Sequence, residues 1–565
     1  MKAAHLVDGE DRGFGDSEER DGGEFWRKYC HLDYIPWLSN ISRRFLIFAF
    51  MKNLPIGIQT LPEIIGGGYI YVDKTQLVHQ LVSTGKYYFF SRPRRFGKSL
   101  LVSTLKELFE GNRPIFKGLW IEDHWDWNKT NPVLHFSFDA MSYEQLGLDN
   151  AIVRELKEQA AAFQIDLESQ DFKSQFRELL QKLHAKLGKV VLLIDEYDKP
   201  IIDYLESQTI EQAKINREIL RDFYSILKNA DEHLQLVFIT GISKFAQVSI
   251  FSHLNNLNDI TLNERYATLT GYTQEELEKY FEDYLQETQT KLGVSRPRLL
   301  DEMRIWYNGY SWDGIHRVYN PFGTLRFFSA QRFTNFWFST GSPRFLIEQM
   351  RKFDTFNVEN TRANNTTFER YDIENLELIS LLFQTGYLTV KEMDVWTGDM
   401  VLDYPNKEVR QSMYQFLIDD LAKNVQRTDT GLTIRNLNQA FIHQDLSQVR
   451  ELLNGLLADL PDAVFDKKSE GLYHGLIHLV FSYLGMYAQS EVHSSRGRAD
   501  AVVQTTTDVF IFEFKFNKTA AEAIAQIQQK KYADKYRPSG KSIIGIGVNF
   551  STEARGIDDW LEENL

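Results

Sequence analysis

The sequence predicts a multidomain α/β protein built around a parallel sheet with helices on both faces, and three observations carry the prediction. At 565 residues the chain exceeds what one hydrophobic core supports, so about three or four domains are expected. From Lys86 onward, strand-like apolar runs alternate with amphipathic helical stretches, the pattern of parallel strands joined by crossover helices. One run, Val190 to Ile194, is apolar at every position, as a strand covered on both faces must be.

Residues 1–50 stand apart. Gly9 to Glu24 is rich in Gly, Asp, Glu and Arg and shows neither helical nor strand period, so this part is expected to be a poorly ordered extension. Met51 opens a run, Met51-Lys52-Asn53-Leu54-Pro55-Ile56-Gly57, that reads like a fresh start. The parallel-sheet core is assigned to 51–260. It holds a short strand at Tyr87 to Phe90, a helix at Leu100 to Phe109, a strand at Val133 to Phe138, helices over Tyr143 to Phe163 and Asp171 to Leu187, and the strands Val190 to Ile194 and Leu234 to Thr240. The stretch 261–355 reads as a helical lid rich in aromatics (Trp306, Tyr307, Tyr310, Trp312, Phe336, Trp337, Phe338), which buried packing explains more simply than a cofactor box. In 356–465 a helix and two strands around Leu376 to Tyr404 suggest a winged-helix-like module, followed by a helical pair from about Leu437 to Leu457. A last α/β domain occupies 466–565, where helix, hairpin, helix and strand follow in turn.

Composition narrows the function classes. Lys and Arg number 64 against 78 Asp and Glu, a net charge of -14, so a nucleic-acid site must be local rather than a basic coat. The single cysteine, Cys30, cannot form an internal disulfide, which fits a reducing, cytoplasmic setting. The longest apolar stretch, Phe45 to Met51, is far shorter than the roughly 20 residues a membrane helix needs, and no membrane association is expected.

Arg92-Pro93-Arg94-Arg95-Phe96-Gly97-Lys98-Ser99 follows a strand and opens a helix, the setting a phosphate-binding loop requires. Amides from Arg94 through Leu100 (Arg94, Arg95, Phe96, Gly97, Lys98, Ser99, Leu100) can hold phosphate oxygens, Lys98 can reach the β and γ phosphates, and Ser99 can ligate Mg²⁺. Arg92 departs from the pattern, standing where such a loop has its first glycine. The partner motif is Val190 to Glu196: Asp195 would hold Mg²⁺ and Glu196 would act as general base on the attacking water. The two motifs together point to a bound nucleotide with Mg²⁺ and to its hydrolysis, and no base-reading motif separates ATP from GTP; read alone, the second is also a buried strand followed by an acidic helix cap. Thr240, at the end of its strand in Thr240-Gly241-Ile242-Ser243-Lys244, is placed to sense the γ-phosphate, and a strand-terminating turn accounts for it equally well. Arg217 and Arg221 share one helix and suit a role on a neighbouring subunit.

Near the end, Arg498 to Val503 and Val509 to Phe516 form two strand-like runs around a Thr-rich turn. If Gln504 pairs with Val509, Asp500 lies opposite Glu513. Opposed carboxylates repel unless protonated or bridged by a cation, so a divalent metal, Mg²⁺ or Mn²⁺, resolves the conflict, and Lys515 beside it can orient or deprotonate a water. Phe510, Phe512, Phe514 and Phe516 bury the other face. Glu470 and His474, a helical turn apart, can reach the same site or lie on the surface. A solvated hairpin face with a Glu-to-Lys contact accounts for Asp500, Glu513 and Lys515 as readily.

Leu54-Pro55-Ile56-Gly57-Ile58-Gln59, Tyr71-Val72-Asp73-Lys74-Thr75, the loop from Ser91 to Ser99 and Trp306-Tyr307-Asn308-Gly309-Tyr310 resemble the bacterial AAA-ATPase-like proteins that end in a PD-(D/E)XK nuclease domain. The end of the chain is similar to that domain in Gly497-Arg498-Ala499-Asp500, Glu513-Phe514-Lys515 and Gln526-Ile527 with Lys531-Tyr532. The resemblance covers nearly everything after Met51. It implies an AAA-like P-loop ATPase joined to a restriction-endonuclease-like α/β domain, with Asp500, Glu513 and Lys515 as the nuclease triad, Glu470 as the helix acid and Gln526 as the later helix motif. In that family the arginine-rich loop is usual.

The expected function is ATP-dependent control of a metal-dependent DNA endonuclease, with defence against mobile DNA as one setting. Two other readings stand beside it: a nucleotide-dependent switch whose C-terminal domain binds nucleic acid or protein without cutting, and an assembly protein working as a homo-oligomer. Arg498, Lys515, Lys518, Lys530, Lys531 and Lys535 cluster in sequence as the local basic groove DNA would need, though each alone suits ordinary solvated surface.

Overall fold

The computed structural model describes residues 51–205, 208–243, 250–251, 254, 256–337, 346–347, 349–350, 357–364, 367–368, 377–421, 430–458, 470–485, 489–492, 499–551, 553–554 and 556–565. The extension 1–50, Lys244, Phe338, Gly497, Arg498 and the side chains of Glu470 and His474 lie outside the described residues. The chain divides into two compact units, Met1–Asn53 and Leu54–Leu565. The elements below belong to the second.

Its first sheet has five parallel strands in the order β2-β3-β4-β1-β5: β1 Tyr87–Ser91, β2 Val133–Ser137, β3 Val190–Asp195, β4 Leu234–Gly241 and β5 Asn258–Asp259. Alternation along the strands feeds two cores. Phe89, Phe136, Leu192 and Ile239 pack with helices α2 (Leu148–Ala162), α3 (Phe172–Leu187) and α4 (Ile210–Ser225). Phe90, Val191, Leu193 and Phe238 pack on the other face with α1 (Lys98–Phe109). Burial on both faces is why β1 is aromatic from Tyr87 to Phe90 and β3 apolar from Val190 to Ile194. The helix expected over Tyr143 to Phe163 is broken at Gly147, whose φ of 79° lies in the left-handed region that continues no α-helix.

A third core joins the 54–72 segment to the helices Gln274–Tyr280, Glu282–Leu292, Arg296–Tyr307 and Pro321–Ala330, with Tyr307, Phe327 and Phe328 inside it. The region expected to resemble a winged helix contains the helix Leu378–Gln384 and a three-stranded antiparallel sheet in the order β6-β8-β7 (β6 Thr361–Ala363, β7 Thr389–Met393, β8 Met400–Asp403). Helix α5, Lys407–Leu421, leads on from it.

The C-terminal sheet is mixed, with order β13-β12-β11-β10-β9: β9 Gln489–Val492, β10 Ala501–Gln504, β11 Asp508–Phe516, β12 Ser542–Ser551 and β13 Gly556–Asn564. Only the central β11–β12 pair is parallel, bridged by helix α7, Ala520–Gln529. Phe510, Phe512 and Phe514 face a core shared with helix α6, Glu470–Leu484, while Val509 and Ile511 face α7. Among the described residues no helix is long and apolar enough to cross a membrane.

Candidate functional site

The phosphate loop connects β1 to α1. Arg95 (φ 66°) and Gly97 (φ 86°) both adopt left-handed backbone, and Gly97 caps α1 without any side-chain cap, so the first amides of the helix remain available to an anion. Lys98 is buried, its Nζ donating to the carbonyls of Arg92 and Pro93 at 3.0 and 3.1 Å. Burial lowers its pKa, while Asp195, Glu196 and Asp198 oppose that shift. Ser99 is half-buried at the first turn, and Leu100 packs its side chain against the core beneath the sheet.

Arg92 is buried as a strut. Its Nη1 donates to the carbonyls of Ser91 (2.9 Å) and Thr261 (2.8 Å), Nη2 reaches Tyr266 O at 3.3 Å, and the guanidinium lies over the rings of Phe90 and Trp312 at 4.4 and 3.8 Å. Burial pushes its pKa down to about 9, against the opposing charges of Asp259 and Asp313. The residue that stands in the place of a loop glycine therefore braces the loop from behind. The Phe96 ring is buried edge-on to Tyr310 and Trp312, leaving its main chain to the loop. Arg94 is exposed, and Arg95 lies over the Phe322 ring at 4.0 Å, with Arg326 over the same ring at 5.3 Å. Arg217 and Arg221 engage Glu218 on their own helix.

Asp195 ends β3, 4% exposed, and its Oδ1 accepts from Glu196 N at 3.0 Å. Glu196 has left-handed backbone (φ 51°), and burial raises its carboxyl pKa while Lys98 opposes the shift. Thr240 is fully buried at the end of β4, and its hydroxyl has no hydrogen-bond partner among the described residues. With β4 lying between β1 and β3, the loop, the acid pair and Thr240 meet at the carboxyl edge of the sheet. An uncapped helix start, a buried lysine, two acids and an orphaned hydroxyl fit a nucleotide phosphate with its divalent cation, which Ser99 and Asp195 would hold.

In the C-terminal sheet the β10–β11 ladder pairs Gln504 with Val509 and Ala501 with Phe512. Asp500, one residue before β10, donates its N–H to Phe512 O at 3.1 Å and accepts from Phe514 N through Oδ2 at 2.8 Å. Glu513 is 2% exposed: its Oε1 accepts from Lys515 Nζ at 2.9 Å, and its Oε2 has no hydrogen-bond partner among the described residues. Lys515 Nζ also donates to Gln526 Oε1 on α7 at 2.8 Å. Burial, then the nearby Asp500 charge, push the Glu513 carboxyl up to about 7. Two adjacent carboxylates with an orphaned buried oxygen fit a divalent cation, which Asp500 and Glu513 would hold. Among the described residues no group of three or more His, Cys, Asp or Glu gathers around one point. Glu470, expected as a third acid, has its side chain outside the described residues. Lys518, Lys530, Lys531 and Lys535 are exposed around α7.

Glu408, near the start of α5, was not singled out by the sequence, where it looks like any surface acid of a helix. It is fully buried, with Oε1 accepting from Phe336 N (2.6 Å) and Trp337 N (2.9 Å) and Oε2 without a hydrogen-bond partner among the described residues. Burial pushes its pKa up to about 7 from the ordinary 4.5, with Arg95 opposing. Folded Glu408 therefore keeps its proton to about pH 7, whereas the unfolded chain releases it near 4.5, and between those values the folded state binds more protons. Its contribution to stability is thus present below about pH 4.5 and lost as pH rises through 7, by up to about 3 kcal/mol at roughly 1.4 kcal/mol per pH unit. Thermal unfolding from pH 5 to 8 should show the melting temperature of wild type falling relative to that of Glu408→Gln; parallel curves would contradict this.

Residues 55–251 match the family model described as "Predicted AAA-ATPase", and 468–560 match the PD-(D/E)XK nuclease superfamily. A relative described as "Uncharacterized protein in vnfD 5'region", from Azotobacter chroococcum mcd 1, is 37% identical over 527 residues, covering 91% of this chain and 99% of its own length. The solved structure of the Aeropyrum pernix Orc1 protein in complex with DNA covers 61% of this chain and 92% of that one at 11% identity, with a TM-score of 0.23, a likeness too slight to carry an argument. Phosphate loop, acid pair and carboxylate hairpin thus sit inside two matched domains, and the chain belongs to the family of AAA-ATPase-like proteins with a C-terminal PD-(D/E)XK nuclease-superfamily domain.

Proposed function

We propose that ATP binding and hydrolysis in the first domain control metal-dependent cleavage of DNA by the last. A bound nucleotide with its Mg²⁺ would supply the phosphoanhydride that is cleaved. Lys98 neutralises phosphate charge, Glu196 accepts the proton of the attacking water, and Thr240 donates to the terminal phosphate. At the second site a divalent cation on Asp500 and Glu513 would supply charge neutralisation at the scissile phosphate. Lys515, held by Glu513 and Gln526, orients the water there.

The observation that carries the control is a chain of contacts from one site toward the other. Arg95 of the phosphate loop donates to Trp337 O at 3.4 Å, Trp337 N donates to Glu408 on α5, and three residues further along that helix Gln411 Nε2 donates to Tyr483 OH on α6 at 3.2 Å. The Tyr414 and Tyr483 rings pack 6.3 Å apart along the same contact. Helix α6 begins at Glu470, the acid the family resemblance assigns to the nuclease site. A change at Arg95 on nucleotide binding would thus reach α6 through α5.

Gln411→Ala and Tyr483→Phe test the relay without touching either site. Both should hydrolyse ATP and cut DNA in the absence of nucleotide as wild type does, while the effect of ATP on cutting shrinks by about 2- to 30-fold. An undiminished ATP effect in both variants would break the relay.

A further inference from the structure

Asp198 lies three residues beyond the end of β3 and is 1% exposed, yet it faces neither the phosphate loop amides nor solvent. Its Oδ2 accepts from Ser243 N at 2.7 Å, Ser243 Oγ at 2.6 Å and Ile242 N at 3.1 Å. The preceding residue makes the same connection through other atoms: Tyr197 N donates to Thr240 O at 3.1 Å and Tyr197 OH donates to Ser243 O at 2.8 Å. Gly241 fits between them only because it has no side chain; a Cβ there would come within 2.5 Å of the Tyr197 ring and 2.6 Å of Asp198 Oδ1. Every donor in the set is buried.

The residue these contacts follow directly is Glu196, whose left-handed backbone is uncommon for a glutamate and persists only where its surroundings over-determine it. On one side Asp195 Oδ1 accepts the Glu196 N–H. On the other, Tyr197 and Asp198 are fastened to 240–243, the segment that carries the orphaned Thr240 hydroxyl. Glu196 and Thr240 are therefore held as one body although they end different strands.

We infer that Tyr197 and Asp198 are positioning residues for ATP hydrolysis: they latch the β3 exit to the β4 exit, hold Glu196 in its left-handed conformation and fix its carboxylate relative to Thr240. The inference rests on the reading of Glu196 as general base. A base that must meet one water beside one phosphate loses rate steeply when displaced, about 10²-fold for a shift near 1 Å. Binding of the nucleotide depends instead on the loop amides and on Lys98, whose Nζ is held by the Arg92 and Pro93 carbonyls. Its loss should appear in kcat and leave affinity alone.

The test uses the full chain with Asp198→Asn, Tyr197→Phe and Ser243→Ala. Asparagine keeps the size of Asp198 but removes its charge and one of its two acceptor oxygens, and the other two each remove one hydroxyl of the latch and keep the packing. Steady-state hydrolysis and equilibrium titration with a fluorescent ATP analogue should show kcat reduced about 10- to 100-fold in Asp198→Asn and several-fold in the other two, with KM and nucleotide affinity within about twofold of wild type. Unchanged kcat in Tyr197→Phe and Ser243→Ala overturns the latch, as does a loss of affinity that parallels the loss of rate. Glu196→Gln, measured alongside, separates the two levels. If it hydrolyses ATP as wild type does, the reading of Glu196 falls and the latch with it; if it is inactive while the latch variants keep full kcat, the latch alone falls.

Discussion

Glu196→Gln should lower ATP turnover by about 10²- to 10⁴-fold and leave nucleotide affinity within about twofold. The amide keeps the size of the side chain and cannot take a proton. Partial burial beside Lys98 raises the carboxyl of Glu196, moving it toward the operating pH, where a general base is most effective. Lys98→Ala should behave differently. Lys98 is read as a phosphate contact and not as a base: its buried ammonium, held by the Arg92 and Pro93 carbonyls, would turn to phosphate oxygens, so its removal should weaken binding itself. Phosphate release and an equilibrium nucleotide titration on both variants read the difference. Glu196→Gln that turns over at the wild-type rate would remove the acid from the reaction.

Glu513→Gln should abolish cutting, by at least about 10³-fold, and at pH 8 without divalent cation should raise the melting temperature. The opposite signs have one cause. Burial and the Asp500 charge push the Glu513 carboxyl up to about 7, so above that pH the folded protein holds a carboxylate it would rather protonate, and among the described residues nothing donates to its Oε2. Glutamine removes the charge and the cost, and with them half of the pair that would hold a cation. Mg²⁺ or Mn²⁺ should therefore stabilise wild type more than Glu513→Gln. Thermal unfolding with and without cation, beside a cleavage assay, checks both halves. A destabilised variant, or one stabilised by cation as much as wild type, would contradict this reading of the site.

What was legible in the sequence was what is local. Strand, loop and helix around Gly97-Lys98-Ser99 follow one another within some twenty residues, and the apolar run before Asp195 needs no distant partner to be seen. The β10–β11 register could be derived because a single assumed pair, Gln504 with Val509, fixes every other pair in an antiparallel ladder. Other features depend on residues far away in the chain. Arg92 looks like a misplaced loop residue until Thr261, Tyr266 and Trp312 are seen around it. Glu408 reads as a surface acid until Phe336 and Trp337 close over it. Asp198, two residues past the acid pair, was not singled out, because its meaning depends on Ser243, 45 residues further along. Strand β13 escaped because Asp558, Asp559, Glu562 and Glu563 make an acidic edge with little apolar alternation.

The measurement that tests the central claim most directly is cleavage of supercoiled, linear and single-stranded DNA and of RNA with Mg²⁺ or Mn²⁺, with and without ATP, by wild type, Lys98→Ala and Glu513→Ala. The account predicts that wild type cuts DNA at a rate that changes with ATP, that Lys98→Ala cuts at a rate indifferent to ATP, and that Glu513→Ala cuts nothing under any condition. Cutting that survives in Glu513→Ala, or that responds to ATP equally in wild type and Lys98→Ala, would contradict it.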